Sequence, residues 1–158
     1  MLGFPRVINE KAARTVAAVV ALTGATALVT GAHWLLIPLA YGFWARVLAG
    51  PRLSPLAQLA TKVVAPRLGT PRQVAGPPKR FAQGMGAAIT TLGVLALAFG
   101  WTTVTTVLLA MLVVAATLEA ALGLCLGCKV FAGLMRAGIV PETVCVECAD
   151  ISARVQRA

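Results

Sequence analysis

All four cysteines of the chain lie between residues 125 and 148, as two C-x-x-C pairs: Cys125 and Cys128 in "CLGC", Cys145 and Cys148 in "CVEC". Sulfurs three positions apart share one turn of a helix, where they can hold a metal ion or cycle between dithiol and disulfide. Residues 129–144 separate the pairs, a gap within the range of four-cysteine zinc sites. Four thiolates suit tetrahedral zinc, and iron is chemically possible. On spacing alone zinc is the stronger reading. Two details weigh against it: Lys129 and Ala149 stand where many zinc knuckles have glycine, and the first pair follows directly on an apolar run that restricts its approach to the second.

The redox reading depends on which sulfur ionises. Lys129 beside Cys128 favours thiolate, whereas Glu142, Glu147 and Asp150 around the second pair oppose it. Cys125 and Cys128 are therefore the candidate primary couple, with Cys145 and Cys148 as a relay. In the alternative, the same four residues ligate zinc and fix the tail for docking to a partner. A helix begun at Pro141 puts Cys145 and Cys148 on one face, which suits both readings.

The elements that must carry these sulfurs are set by composition. Of 158 residues, 59% are hydrophobic and 12% charged, far from the balance of a water-soluble domain. The apolar residues fall in four runs, which with small flanking residues predict membrane spans over about 13–31, 33–49, 84–100 and 103–123. Each reaches the ~17–25 residues that a helix needs to cross hydrocarbon about 30 Å thick. The expected fold is an all-α membrane protein of two transmembrane hairpins in residues 1–124. A cytoplasmic amphipathic loop at 51–83 joins the hairpins, and a short helical cysteine-bearing tail at 125–158 follows them. The first run also resembles a secretory signal, but it is long for one and a second apolar run follows at once, so the N-terminus is read as retained.

The net charge of +9 gives the orientation. Arg6, Lys11 and Arg14 precede the first run; Arg52, Lys62, Arg67, Arg72, Lys79 and Arg80 fill the central segment; Lys129, Arg136, Arg154 and Arg157 follow the last. Neither hairpin turn carries a Lys or Arg. The positive-inside rule then makes all three basic regions, and both termini, cytoplasmic. Trp34 and Trp101 mark the outer turns, and His33 is read as interfacial. Lysines and arginines spread along such loops are orientation signals and contacts to anionic lipid, not a nucleic-acid surface.

In the central segment, Ser54 as cap and Pro55 at the first helical position predict a short amphipathic helix with Leu56, Leu59, Ala60, Val63 and Val64 on one face. The remainder, residues 67–81, reads as irregular. Ala13, Ala17, Ala21 and Ala25 predict a close-packing stripe on the first helix. Glu119 lies inside the last run, where an acid needs a partner, and Arg46 at the same end of the second helix is the expected one, forming a buried ion pair. A small transporter is a further reading, resting only on these two charges. No phosphate-cradling loop, zinc-protease helix or serine-histidine-acid set is present.

"INEKAAR", "PRLSPLAQLATK", "PPKRFAQGMG" and "EAALGLCLGCKVF", in that order, resemble the bacterial membrane family catalogued as domain of unknown function 4395. The resemblance covers Asn9 to about Phe131 and stops short of "CVEC". It implies an integral protein of the bacterial inner membrane, in a family often encoded beside thioredoxin-like proteins and sulfurtransferases. That neighbourhood points to thiol-disulfide or sulfur-transfer chemistry with such a partner.

Overall fold

A computed structural model of the chain describes residues 6–70 and 72–144. Cys145 and Cys148 lie outside them. Asn9 starts the first helix: its side chain accepts the Lys11 amide at 3.0 Å, and Glu10 puts a carboxylate in the first turn, where unpaired amides favour it. Helix α1 runs Glu10–Thr30. A 3-10 turn at His33–Leu35 leads into α2, Leu36–Ala49, whose Pro38 sits in the first turn, where no helical amide bond is lost. Ser54 caps the central segment, with α3 over Pro55–Leu59, a π turn over Ala60–Val64 and α4 over Ala65–Arg67. Helices α5, Gly76–Ala98, and α6, Thr102–Leu122, follow, and then α7, Leu126–Arg136.

Helices α1, α5 and α6 are long and apolar enough to cross a membrane. Helix α2, with 14 residues, is shorter. The packing order is α1, α6, α5, α2, with α7 laid on α5. Helices α1 and α2 touch little beyond their connecting turn, so the expected first hairpin is not a packing unit. Each instead lies against a helix from the second half of the chain. Phe43 explains the α2–α5 contact: its ring fills the space over Gly86, where a β-carbon would overlap it. Thr105, fully buried, donates to the Gly93 carbonyl at 3.3 Å and ties α6 to α5 where apolar surface gives helices no net attraction.

Four local expectations are corrected. Helix α5 begins at Gly76 rather than near residue 84, because Pro77 and Pro78 occupy a first turn that needs no amide donors. Residues ahead of it, read as irregular, include β2, Gln73–Ala75, paired antiparallel to β1, Val7–Asn9, with Val7 opposite Ala75. This ribbon joins the entrances of α1 and α5, and Arg72 adds an ion pair to Glu10 at 3.1 Å. In the central segment the buried face is Ser54, Ala57, Ala60 and Ala65, while Leu59 and Val63 are exposed. The π turn adds one residue between Ala60 and Ala65, so both face α1 although a regular helix would separate them. On α1, too, the stripe is rotated: Ala12, Val16, Ala17, Val20, Gly24 and Ala27 are buried, and of the expected alanines only Ala17 is.

Candidate functional site

The start of α1, the end of α2, the start of α5 and the end of α6 meet at one end of the bundle. Contacts between them fix this: Arg14 reaches the last carbonyls of α6, and Arg80 donates to the Val47 carbonyl at the end of α2. Cys125 is delivered there by Gly123, which closes α6 in the left-handed conformation (φ 68°) and turns the chain. Cys125 then stands at the N-cap of α7, and Cys128 lies one turn on. Cys125 is buried, Cys128 is half-buried, and both are free thiols.

Gly127, between them, decides how close the pair comes to the bundle. A β-carbon on Gly127 would lie 2.6 Å from the Ala82 Cα, so only glycine lets the first turn of α7 rest on the backbone of α5. Phe131, one turn further on, packs its ring 5.7 Å from that of Phe81. These contacts seat the sulfurs beside Lys79, on the first turn of α5.

Lys79 forms a buried ion pair with Glu119 of α6. The expected partner, Arg46, is engaged elsewhere: its Nε donates to Gln83 Oε1 at 2.8 Å, and its guanidinium lies 4.6 Å from the Phe43 ring centroid. Arg46 and Lys79 are both only 6% exposed, so the site buries two cations near one partly covered carboxylate. Arg14, one turn into α1, donates to the Ala120 and Ala121 carbonyls at 3.1 and 2.8 Å, neutralising the negative end of α6.

The sulfurs respond to this setting. Hydrogen bonding with the Cys128 thiol lowers the Cys125 thiol below its ordinary range. The Lys79 ammonium and the Cys128 amide assist, while burial and Glu119 oppose. Cys128 is pushed up, first by that same hydrogen bond, then by burial and by charge on Cys125. The pair thus favours a Cys125 thiolate with Cys128 holding the proton. The cation acting on it is Lys79, not the exposed Lys129.

A helix start placed after residue 81 hides Lys79 as a site residue. The signal that finds it is spacing: Lys79, Gln83, Gly86, Thr90 and Gly93 recur at helical intervals, and all but Gln83 are buried. Besides this pair and its charges, two cavities flank Arg46 and Gln83. One, of about 60 Å³, reaches Lys79 and the central segment; the other, of about 190 Å³, reaches Glu119 and Cys125. The described residues include no cluster of three or more metal-ligating side chains, and the second cysteine pair of the zinc reading lies outside them.

No curated protein and no solved structure matches the chain. The family described as domain of unknown function DUF4395 matches over residues 8–136, from the ribbon through the whole of α7, and the chain belongs to that family.

Proposed function

We propose that this protein is a four-crossing protein of the bacterial inner membrane in which Cys125 and Cys128 form a thiol-disulfide couple for a thioredoxin-like or sulfurtransferase partner. The observation that carries this reading is the placement of Cys125 at the head of α7, with Cys128 one turn away and a buried ammonium alongside. In exchange, the Cys125 thiolate attacks a partner disulfide and expels one partner sulfur as thiolate. Cys128 then attacks Cys125, releasing the partner as a dithiol and leaving the Cys125–Cys128 disulfide. Two electrons leave the pair and two arrive on the partner. In sulfur transfer, Cys125 takes the outer sulfur of a partner persulfide, and the partner leaves as a thiol.

Two features support four crossings with both termini in the cytoplasm. Helix α2, although short, carries an outward apolar stripe of Ile37, Tyr41, Trp44 and Leu48 and returns the chain to the end where the basic residues collect. The opposite turns, Gly31–Leu35 and Gly100–Trp101, hold no Lys or Arg.

The test is to purify the protein under reducing conditions, measure bound metal, and follow the Cys125–Cys128 pair by differential alkylation through an oxidation and reduction cycle. A reversible disulfide in metal-free protein is the expected result. One tightly held zinc per chain, with no reversible disulfide, would replace this reading with the structural zinc site of Cys125, Cys128, Cys145 and Cys148.

A further inference from the structure

The larger cavity, about 190 Å³, opens on the flank of the bundle. Met85 of α5, Met111 of α6 and Leu126 of α7 line it and are themselves 36%, 56% and 42% exposed, so they form its rim. Its inner wall includes Arg46, Gln83, Glu119 and Cys125. The lining of one cavity therefore joins exposed apolar side chains to Arg46, Gln83 and Cys125. Helices α5 and α6, which carry two of the rim residues, are among those long and apolar enough to span a bilayer.

A molecule entering this way must dissolve in hydrocarbon yet present hydrogen-bond acceptors at its leading end, because a plain acyl chain would cover the charged wall without compensating it. We propose that the cavity admits the head group of a lipid-soluble quinone, which takes two electrons from the reduced Cys125–Cys128 pair. The inference rests on the dithiol reading above and names its second electron partner. The volume is below the ~300–1,000 Å³ of a drug-sized pocket, enough for one substituted ring with its tail left in the bilayer. Quinone carbonyls accept hydrogen bonds, which the Arg46 guanidinium and Gln83 amide supply. Flexible thioethers at the rim adapt to a flat ring.

The step balances. The Cys128 S–H bond breaks and one S–S bond forms between the Cys125 thiolate and Cys128. Two electrons go to the quinone, whose oxygens take the Cys128 proton and one proton from water, giving the quinol. A partner dithiol then restores the pair by the reverse of the exchange written above, its thiolate attacking the Cys125–Cys128 disulfide and the partner leaving as its own disulfide, so in this cycle electrons pass from the partner through the cysteines to the membrane pool.

The experiment uses reduced full-length protein carrying Cys145→Ser and Cys148→Ser, in lipid nanodiscs without oxygen, so that only the first pair reports. Decyl-benzoquinone and bis(2-hydroxyethyl) disulfide are offered separately. Quinone absorbance and Cys125–Cys128 disulfide, read by alkylation and mass, are followed together. The inference expects one quinol per disulfide formed. Ala115→Trp, which fills the cavity from α6, should slow oxidation by quinone about tenfold or more and leave oxidation by the water-soluble disulfide unchanged. Met111→Trp at the rim serves if Ala115→Trp does not fold. Val114→Trp, on the exposed side of the same helix, should leave both reactions unchanged. Should the disulfide reagent oxidise the pair while quinone does not, or should Ala115→Trp and Met111→Trp both react with quinone at the parent rate, the quinone site is wrong and the dithiol couple stands. Failure of both reagents to form the disulfide would remove the couple and the quinone site with it.

Discussion

Lys79 and Glu119, 40 residues apart in the chain, form a buried ion pair that joins the first turn of α5 to the last turn of α6. Their side chains are 7% and 16% exposed, so both charges are largely withdrawn from water, Lys79 the more completely. Removing one partner leaves the other buried and unpaired, at a cost of about 3–5 kcal/mol, whereas replacing both with apolar residues is close to neutral. Glu119→Gln should therefore lower the midpoint of unfolding in mixed detergent strongly. Lys79→Met combined with Glu119→Leu should recover the part of the loss that belongs to Lys79, the remainder being the counter-charge that Glu119 also supplies to the buried Arg46 guanidinium. A double variant no more stable than Glu119→Gln alone would mean that the pair is not the coupling unit.

Gly127 makes a different demand, one of space. A β-carbon there meets Ala82 Cβ at 2.5 Å and Ala82 Cα at 2.6 Å, and the second atom is backbone. Gly127→Ala should lift α7 from α5 at a cost of about 1–3 kcal/mol and speed alkylation of Cys125, which is now buried. Ala82→Gly should give only partial rescue because the Cα remains. Full rescue would show that the methyl group alone sets the approach.

The thiol pair predicts a pH dependence with a definite sign. The Cys125 thiol lies below its ordinary range, so its thiolate, and with it the alkylation rate, persists at pH values where a free cysteine has already protonated. The rate falls only as pH drops through the lowered value. Cys128→Ala removes the largest cause and should move the rate profile to higher pH; Lys79→Met should move it the same way, and Glu119→Gln the opposite way. The check is the pH profile of iodoacetamide labelling at Cys125. Profiles that coincide for the parent and Cys128→Ala would sink the assignment.

Arg14 hydrogen-bonds two carbonyls at the end of α6 while sitting on α1. Arg14→Met should cost about 1–2 kcal/mol, since both orphan carbonyls and the helix dipole lose their cation. Arg14→Lys should recover less than half, because an ammonium cannot place two donors in the guanidinium's fixed fork. Equilibrium unfolding of the three proteins decides this.

Membrane orientation has its own readout. The proposed orientation puts both cysteine pairs on the cytoplasmic side, so a membrane-impermeant maleimide should leave Cys125, Cys128, Cys145 and Cys148 unlabelled in intact cells and label them once the cells are permeabilised. Labelling from outside would place the tail in an oxidising space and overturn the orientation.

Composition and apolar run length suffice to read a helical chain with membrane-spanning segments, because a run of about twenty uncharged residues has one economical conformation in hydrocarbon. The order of "INEKAAR", "PPKRFAQGMG" and the other quoted segments suffices for the family, and residues 8–136 match it. The Ser54 cap is a local signal of the same kind, whereas the Asn9 cap and the turn at Gly123 come into view only with the helix ends that they close. Which helices touch is not local. Helix α1 chose α6, and α2 chose α5, through surfaces such as Gly86 under Phe43, and spacing along one helix carries no information about the helix opposite. The partner of Glu119 follows from that choice: Arg46 and Lys79 both reach the same end of the bundle, and the seat of Arg46 on Phe43 and Gln83 leaves the carboxylate to Lys79. The two sulfurs are likewise paired by their spacing in the chain, and their mutual hydrogen bond follows from it, but the ammonium that assists the Cys125 thiolate comes from a helix distant in sequence, and only the packing of α7 on α5 brings it there.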